Sequence, residues 1–322
     1  MNKILVTRQI PEKFKARLEQ YAEVEIWDHH LTPMPREQFL EAAKDKTALL
    51  VTLSEQIDET LFHAAPHLKI VANMAVGYDN IDLAAAERHE VAISNTPHVL
   101  TETTAELGFA LMLATSRRIV EAEKYVQEGK WESWGPYLLA GKDIYRSKVG
   151  IFGMGEIGRA FARRLRGFNA DILYHNRSRN AKAESELGAF YTSFETLIQE
   201  SDFIISTAPS TPETQNVFNH EAFKKMRKDA IFINIRRGDL VVEEDLVDAI
   251  ENGEIAGAGL DVVRDEPIRM DHPLLKFPNV IVTPHIGSAS VLTRDQMIQT
   301  CVLNIEDVFN DRTARNQVMH KA

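Results

Sequence analysis

A glycine-rich motif after a short apolar run constrains the fold of this chain more than any other feature. Val149–Phe152 is typical of a buried parallel strand, and the next residues read G-x-G-x-x-G at Gly153, Gly155 and Gly158. An amphipathic helical stretch follows, and Asp171–Asn176 is predicted as the next strand. In such a βαβ unit the glycines permit a tight turn, the approach of a pyrophosphate and close helix–strand packing. The motif therefore predicts a dinucleotide site.

Residues at the start of that helix and at the end of the second strand indicate which dinucleotide binds. Glu156 and Ile157 begin the helix, where free N–H groups and the positive end of the helix dipole favour phosphates. An NAD site carries Asp or Glu at the end of the second strand, to bind the ribose. This chain has Asn176, Arg177 and Ser178 there, and an arginine with a hydroxyl binds a 2′-phosphate. We therefore predict a preference for NADPH over NADH; the alternative is a solvated arginine and no preference.

Composition narrows the class of protein. A chain of 322 residues with 44% apolar residues can form two domains, each with its own core. A formal net charge of −10 argues against a general nucleic-acid or anionic-membrane binder. Cys301 is the single cysteine, so no intramolecular disulfide forms. The N-terminal residues lack a signal-peptide pattern and no apolar run reaches membrane-spanning length, so we expect a cytoplasmic protein.

Strand and helix patterns alternate along the chain, which predicts βαβ units and parallel sheets. The predicted strands of the first part are Lys3–Thr7, Val24–Trp27, Ala48–Thr52, Lys69–Asn73 and Val91–Ser94, with helices such as Glu12–Tyr21 and Arg36–Ala43 between them. One long helical stretch is predicted for Thr101–Gly129. After the glycine motif and its second strand, further strands are predicted at Asp202–Thr207, Ala230–Ile235, Gly257–Val262 and Val280–Thr283, and a last helix at Leu292–Phe309.

This pattern predicts an α/β fold with two doubly wound parallel-sheet domains. The last helix follows the completed second sheet, so we expect it to return to the first domain. Residues 1–99 plus 287–322 are then a discontinuous substrate domain, flavodoxin-like in its winding, and residues 100–286 are an inserted Rossmann NAD(P)-binding domain. A ligand is expected in the cleft between two such domains.

Several short motifs, spread through nearly the whole chain, point to one family. Besides the glycine motif they are Val76–Asp82, Asn95–Pro97, Val99–Thr101, Phe232–Gly238, Ala258–Val262, Glu266–Pro267 and Thr283–Gly287. In this order they resemble the D-2-hydroxyacid dehydrogenase family, most closely its glyoxylate/hydroxypyruvate and 2-ketogluconate reductase branch. The resemblance implies a two-domain, discontinuous fold and hydride transfer between a nicotinamide cofactor and a small 2-keto or 2-hydroxy acid.

The resemblance also implies the catalytic residues. Arg237 aligns with the substrate arginine, and a planar guanidinium suits both a carboxylate and a carbonyl oxygen that gains negative charge. His285 aligns with the catalytic acid. This role suits a histidine, because an imidazolium can protonate the new alkoxide near neutral pH. Glu266 aligns with the carboxylate that orients this histidine and favours its protonated form.

Further ligand contacts follow from the same resemblance. A helix is expected at Asn80–Arg88, opened by Ala75, Val76 and Gly77. The N–H groups of these three residues are expected to bind the substrate carboxylate, and Leu100 is expected to line the substrate pocket. Asp261 is expected to accept a hydrogen bond from the nicotinamide carboxamide, with a helix-capping role as the alternative. The remaining cofactor positions are Pro209, Thr214, Ile235, Arg236 and Gly287.

Two tryptophans bear on the oligomeric state. Trp131 and Trp134 lie in a segment that, in the reductase branch, belongs to the dimer interface, and an equivalent of Trp134 reaches the partner's active site. Exposed aromatics between polar residues are common at interfaces. We therefore predict a homodimer in which Trp134 contributes to substrate binding; the alternative is that both rings pack in the core.

Two departures from the family pattern affect the expected substrate more than the reaction. His98 stands where glycine is usual, and Arg236 stands where a small residue is usual.

The leading interpretation is an NADPH-dependent reductase of glyoxylate, hydroxypyruvate or 2-keto-D-gluconate. Its alternatives are an NAD-dependent D-lactate, D-3-phosphoglycerate or formate dehydrogenase, and a dinucleotide-sensing module similar to corepressors. No metal site is predicted, since the histidines show no ligand spacing such as H-E-x-x-H.

Overall fold

The computed structural model describes residues 1–319. It divides into two compact units, residues 1–100 with residues 289 onwards, and residues 101–288. Each unit is an α/β layered structure built on a twisted, mainly parallel sheet. The predicted fold class is thereby confirmed. Within the described residues no helix is both long and apolar enough to cross a membrane.

The elements occur in alternating order. The first part of unit 1 contains β1 (Asn2–Val6), α1 (Glu12–Leu18), β2 (Ala22–Ile26), α2 (Arg36–Ala43), β3 (Ala48–Val51), α3 (Glu59–Ala64), β4 (Ile70–Asn73), α4 (Leu83–Arg88) and β5 (Ala92–Ser94). Unit 2 contains α5 (Thr101–Ser116), α6 (Ile119–Gln127), β6 (Lys148–Phe152), α7 (Glu156–Leu165), β7 (Asp171–His175), α8 (Ala181–Leu187), β8 (Phe190–Tyr191), α9 (Phe194–Glu200), β9 (Phe203–Ser206), α10 (His220–Lys225), β10 (Ile231–Asn234), α11 (Glu243–Glu251), β11 (Gly257–Leu260) and β12 (Val280–Val282). Unit 1 is completed by α12 (Val291–Phe309) and β13 (Gln317–Val318).

The sheet of unit 1 has the order β13-β5-β4-β3-β1-β2, and every pair is parallel except β13 with β5. Side chains alternate across it, so each strand contributes to two cores. Leu5 and Leu49 lie in the core with α2, α3 and α4, whereas Ile4 and Leu50 lie in the core with α1 and α12. The last long helix therefore covers a face of this sheet that would otherwise be half open.

The sheet of unit 2 has the order β12-β11-β10-β9-β6-β7-β8 and is entirely parallel. Its central strands are fully buried, which explains their continuous apolar runs. Aromatic rings fill one face, where Phe152, Phe194 and Phe218 form edge-on pairs. The short edge strand β8 and the antiparallel β13 were missed from the sequence, because a two-residue strand carries no periodicity.

The predicted single helix over residues 101–129 is wrong. The chain forms α5 and α6 instead, separated at Arg118, whose φ is +54°. The carbonyl of Ser116 accepts a hydrogen bond from the N–H of Lys142, and a side chain at Gly141 would lie 2.1 Å from that carbonyl. A distant segment thus packs on the end of α5 and satisfies the backbone there. Helix α6 buries none of its side chains.

Candidate active site

The glycine loop between β6 and α7 combines two packing glycines with one that faces open space. Gly153 has a φ of +104°, and a Cβ there would lie 2.4 Å from the Ala208 nitrogen. A Cβ on Gly158 would lie 2.2 Å from the carbonyl oxygen of Gly153. At Gly155, by contrast, a Cβ would meet no atom of the described residues within 4 Å. The fold itself therefore explains Gly153 and Gly158, whereas the space at Gly155 fits a ligand that approaches the backbone.

Helix α7 begins beside this space. Gly155 is its N-cap residue and has no side chain that could accept from the N–H groups of the first turn. Those donors and the positive end of the helix dipole are the features that bind a pyrophosphate. Glu156 is exposed and accepts a hydrogen bond from Thr101, while Ile157 is buried. The loop thus fits the phosphates of a dinucleotide.

Two asparagines tie the loop after β7 to the glycine loop. Asn176 Oδ1 accepts from the N–H of Met154 at 2.6 Å, and Asn180 Nδ2 donates to the Met154 carbonyl at 2.8 Å. Asn180 Oδ1 also caps α8 by accepting from Ala183. Asn180 was missed from the sequence, although an asparagine before a helical stretch is a recognisable capping signal.

The two arginines of this loop differ in their partners. Arg179 donates to both oxygens of Glu184 at 3.0 and 2.7 Å, and Tyr174 donates to the same carboxylate. These bonds, that of Arg179 first, lower the pKa of Glu184 to about 2. Arg177 is exposed, and no hydrogen bond or ion pair holds it within residues 1–319. Its charge acts on Glu213, whose pKa is lowered first by a hydrogen bond with Thr211 and also by Arg177.

The loop after β9 closes on itself beside the glycine loop. Thr214 Oγ1 donates to the Pro209 carbonyl at 2.7 Å and accepts from the Thr211 N–H at 2.8 Å. Because Gly153 packs against Ala208, the loop that starts at Pro209 is held next to the glycine loop. The predicted positions Pro209 and Thr214 therefore belong to one ordered turn at the edge of the sheet where the glycine loop lies.

Three predicted side chains follow neighbouring strands at one edge of this sheet. Asn234 at the end of β10 pairs with Leu260, and Leu260 at the end of β11 pairs with Val282 in β12. Since the strands are parallel, their carboxyl ends meet at the same edge. Arg237, Asp261 and His285 follow β10, β11 and β12 respectively. This is the edge where ligands bind in open α/β sheets.

His285 and Glu266 form a direct pair. The distance from His285 Nδ1 to Glu266 Oε2 is 2.7 Å, and Glu266 Oε1 accepts from the Val263 N–H. His285 has a φ of +52°, a left-handed conformation that costs a non-glycine residue about 1 kcal/mol or more. The ring is half-buried, with Nδ1 directed to the carboxylate. Its other nitrogen, Nε2, is the atom from which a proton could pass to a ligand.

Asp261 holds the turn that carries His285. Its buried carboxylate accepts from Thr283 Oγ1 at 2.7 Å and from the N–H groups of Ile286 and Gly287 at 2.8 and 2.7 Å. Burial raises the pKa of Asp261, although these hydrogen bonds oppose the shift. A carboxylate accepts about four hydrogen bonds, so one position remains beyond these three. The cofactor contact of Asp261 stays a prediction, whereas its role in positioning His285 was missed from the sequence.

Arg237 lies in a turn that needs both an asparagine and a glycine. Asn234 is fully buried and its Nδ2 donates to the Arg237 carbonyl at 2.7 Å. A Cβ on Gly238 would lie 2.0 Å from the Val263 carbonyl carbon, so only glycine allows this approach. Arg237 Nη1 donates to the carbonyl of the half-buried Arg236 at 2.8 Å, and the Ile235 side chain is buried.

In unit 1, Ala75, Val76 and Gly77 do not open a helix, contrary to the prediction. Helix α4 begins at Leu83, because Asp82 is its N-cap and accepts from the Ala85 N–H. The three residues instead lie in an irregular loop after β4.

Hydrogen bonds hold the three carbonyls of that loop. The Ala75, Val76 and Gly77 carbonyls accept from the Thr96 N–H and from the side chains of Asn95 and Asn73 at 2.8 to 2.9 Å. A peptide N–H points opposite to the carbonyl of its own peptide unit, so the next N–H groups, those of Val76, Gly77 and Tyr78, point away from these anchors. None of these three has an acceptor within residues 1–319. Successive N–H groups without an acceptor in the protein can bind an anion, and these three are called the nest below.

The other predicted substrate positions are more scattered. Leu100 is buried in unit 1, and nearby His98 has a φ of +67°, which explains why glycine is usual at that position. Trp131 and Trp134 lie in unit 2 with 61% and 82% of their surfaces exposed. Neither tryptophan is part of a core, so the core-packing alternative is wrong for this chain on its own.

Comparisons with known proteins identify the family of this chain. Residues 109–287 match the model of the D-isomer specific 2-hydroxyacid dehydrogenase, NAD binding domain. The glyoxylate reductase of Pyrococcus furiosus is 46% identical over 307 residues, which cover 94% of this chain and 91% of that protein.

Solved structures show the same likeness. The TT0316 protein of Thermus thermophilus is 39% identical, covers 98% of this chain and all of its own, and has a TM-score of 0.93. An NADPH-dependent glyoxylate/hydroxypyruvate reductase of Sinorhizobium meliloti, in complex with NADP and malonate, is 33% identical with a TM-score of 0.85. The alignment covers 100% of this chain and 99% of that one.

The parallel sheet, the glycine loop and the matched domain define an NAD(P)-dependent oxidoreductase with a nicotinamide dinucleotide cofactor. The identity to the curated relative over most of both chains is decisive for the family. This chain belongs to the D-isomer specific 2-hydroxyacid dehydrogenase family, as the resemblance of its motifs predicted.

The two glycines Gly153 and Gly155 allow a matched test of the loop. We expect Gly153→Ala to destabilise the protein by about 2 kcal/mol or more, since the left-handed φ and the backbone contact both oppose a side chain. Gly155→Ala should leave the free energy of unfolding within about 0.5 kcal/mol but weaken dinucleotide binding strongly. Thermal unfolding and fluorescence titration with the reduced cofactor measure both. Equal cofactor affinity of Gly155→Ala and wild type would contradict the assignment.

Proposed function

We propose that this protein reduces small 2-keto acids to (R)-2-hydroxy acids, with NADPH as the preferred hydride donor. The favoured substrates are glyoxylate, hydroxypyruvate and 2-keto-D-gluconate. The observation that carries the proposal is the 2.7 Å contact of Glu266 with His285, which follows β12 at the sheet edge where Arg237 follows β10. Curated relatives named glyoxylate reductase, 45–46% identical to this chain, support the substrate class.

Unit 1 supplies the first part of the proposed substrate site. The nest formed by the N–H groups of Val76, Gly77 and Tyr78 suits a carboxylate, because these donors have no acceptor among the described residues and the carbonyls of their peptide units are held by other groups. Leu100 is proposed to line the pocket beside the small substrate. We assign the substrate role to residues 1–99 with 287–322 and the cofactor role to residues 100–286, a range that includes most of the matched NAD-binding model.

Arg237 is proposed to bind the carboxylate and the 2-keto oxygen. Its guanidinium is planar and presents parallel donors, so one side chain can reach both groups. When bound, the reduced nicotinamide supplies a hydride to the keto carbon. Negative charge then develops on the keto oxygen, where a fixed cation stabilises it. Asn234 and Gly238 fix the turn and thereby limit the conformations of Arg237.

His285 is proposed to donate the proton that completes the reaction. Glu266 receives the hydrogen bond from Nδ1, which orients the ring. Nε2 can then donate to the developing alkoxide. In the reverse direction the neutral imidazole accepts the hydroxyl proton. Asp261 keeps the turn in place and is proposed to use its remaining position for the nicotinamide carboxamide.

The remaining proposed cofactor contacts surround the glycine loop. The backbone of Gly153, Gly155, Glu156, Ile157 and Gly158 is proposed to bind the pyrophosphate. The turn of Pro209 and Thr214 and the residues Ile235, Arg236 and Gly287 are proposed to enclose the rest of the cofactor. Each of these residues follows a strand of the parallel sheet or begins the helix after it, so the fold presents them at one edge.

Replacement of Arg237 tests the proposed substrate site. Arg237→Lys keeps the charge but loses the two parallel donors, so we expect kcat/KM for the keto acid to fall on the order of 100-fold. Cofactor affinity should stay unchanged. Arg227→Lys is the matched control, because Arg227 pairs with Asp229 on the surface of the same unit and should retain full activity. Steady-state kinetics give both values, and near-normal kcat/KM of Arg237→Lys would refute the role.

Cofactor preference is proposed to depend on Arg177. Arg177 is exposed without an ion-pair partner among the described residues, whereas Arg179 is held by Glu184. Ser178 and Asn176 complete the turn that would face a 2′-phosphate.

We expect Arg177→Ala to lower the NADPH:NADH ratio of kcat/KM about tenfold or more, since one charge-assisted phosphate contact is lost. Arg179→Ala is the control and should change the ratio far less, because its guanidinium is already engaged by Glu184. The ratio is measured from parallel titrations of the two cofactors. An unchanged ratio in Arg177→Ala, or equal use of both cofactors by the wild type, would exclude this origin of the preference.

A homodimer is proposed to form through the segment that contains α6 and the two tryptophans. Helix α6 buries no side chain and exposes Ile119, Val120 and Val126. The exposed apolar side chains that follow it are Trp131, Trp134, Tyr137, Leu138 and Tyr145. So many large apolar groups in one exposed segment are typical of a protein interface. Trp134 is proposed to complete the substrate site of the partner subunit.

A charged substitution tests the dimer. Tyr137→Asp places a carboxylate among exposed apolar side chains, and we expect it to shift the protein from dimer to monomer. Met270→Asp is the control, since Met270 is similarly exposed but lies outside the segment. Sedimentation equilibrium measures the mass of each variant. A monomeric wild type at micromolar concentration would rule the dimer out.

A further inference from the structure

A cluster of three ligating side chains lies on unit 1, outside the residues assigned to the reaction. Glu59 and His63 are one helical turn apart on α3, and His89 is the C-cap of α4. Both imidazoles direct Nε2 to the same carboxylate oxygen, Glu59 Oε1, at 3.1 Å from His63 and 2.7 Å from His89. The three ligand atoms lie within 4.8 Å of one another. These three side chains come from two helices, so the spacing of histidines along the sequence does not bring them together.

The surroundings fix two of the three ligands. The His89 ring stacks on the buried Phe62 ring, with centroids 5.6 Å apart. Arg88 binds the other oxygen of Glu59, Oε2, which leaves Oε1 directed to the imidazoles. At metal sites, neighbouring residues orient the ligating carboxylates and imidazoles in this way.

The separations suit a transition metal. Ligands bound at the usual 2.0–2.1 Å in a tetrahedral zinc site lie about 3.3 Å apart, so only small side-chain shifts are needed here. His63 is largely exposed, which leaves room for water as a further ligand. We propose that Glu59, His63 and His89 bind one divalent transition-metal ion of the zinc type. The ion takes the place of the hydrogen bonds between Nε2 and Oε1, with each neutral imidazole keeping its proton on Nδ1, and links α3 to α4.

The helices that the ion links, α3 and α4, are connected to the nest loop. Ile57, just before α3, accepts from the Asp82 N–H and donates to the Asn80 carbonyl, and α4 follows the nest loop directly. The bound ion therefore stabilises the part of unit 1 that supports the nest. This inference does not depend on the proposed reaction, because it concerns metal binding alone.

The test is calorimetric titration of the full chain, free of any affinity tag, with zinc chloride. We expect one ion per chain, and His63→Ala and His89→Ala should each weaken binding at least about tenfold. Glu59→Gln should weaken it similarly. His30→Ala is the matched control, since His30 is exposed on the same unit but away from these helices in sequence, and it should bind zinc as the wild type does.

A second measurement, thermal unfolding, distinguishes the loss of metal binding from misfolding of the variant. The exposed His63 can be removed without opening a core, so His63→Ala should unfold at the wild-type temperature without metal. Zinc should raise the unfolding temperature of the wild type and of His30→Ala but not that of His63→Ala. One-to-one binding that persists in both histidine variants, or no saturable zinc binding by the wild type, would overturn the proposal.

Discussion

The parallel register of β10, β11 and β12 is the constraint on which the candidate active site depends. Pairing of Asn234 with Leu260 and of Leu260 with Val282 brings three strand ends to one level. Whatever follows each strand must then project from the same edge. Arg237, Asp261 and His285 are far apart in sequence, yet the sheet alone places their turns side by side. A register shift of one strand would move the turn that carries His285 away from the turn that carries Arg237.

Within each unit, amide and carboxylate side chains hold the backbone so that reactive groups stay available. Asp261 fixes the turn of His285, Asn234 fixes that of Arg237, and Asn73 and Asn95 anchor the carbonyls of the nest loop. Each of these polar groups is engaged with backbone rather than with another catalytic side chain. The Nε2 of His285 and the N–H groups of the nest thereby stay available to a ligand. Such preorganisation favours binding and charge stabilisation.

Much of this could be predicted from the sequence, because strands and glycine turns leave local patterns. The alternation of elements, the glycine loop and the family motifs indicated the fold and the family. The start of α4 at Leu83 was missed although Asp82 is a local capping signal, whereas the break in the predicted helix at Arg118 was missed because Lys142 acts on it from a distant segment. The same holds for Asn180, which secures the glycine loop from another turn. Long-range contacts of single side chains decide such details, and they appear only in three dimensions.

The most direct test of the proposed reaction follows the absorbance of the reduced nicotinamide in the wild-type protein. NADPH and NADH are compared in parallel against glyoxylate, hydroxypyruvate, pyruvate and 2-keto-D-gluconate. We predict turnover of at least one of these keto acids, faster with NADPH than with NADH, and formation of the (R)-2-hydroxy acid wherever the product is chiral. Tight cofactor binding with no oxidation by any of the four would contradict the central claim and would favour a dinucleotide-sensing role for the same fold.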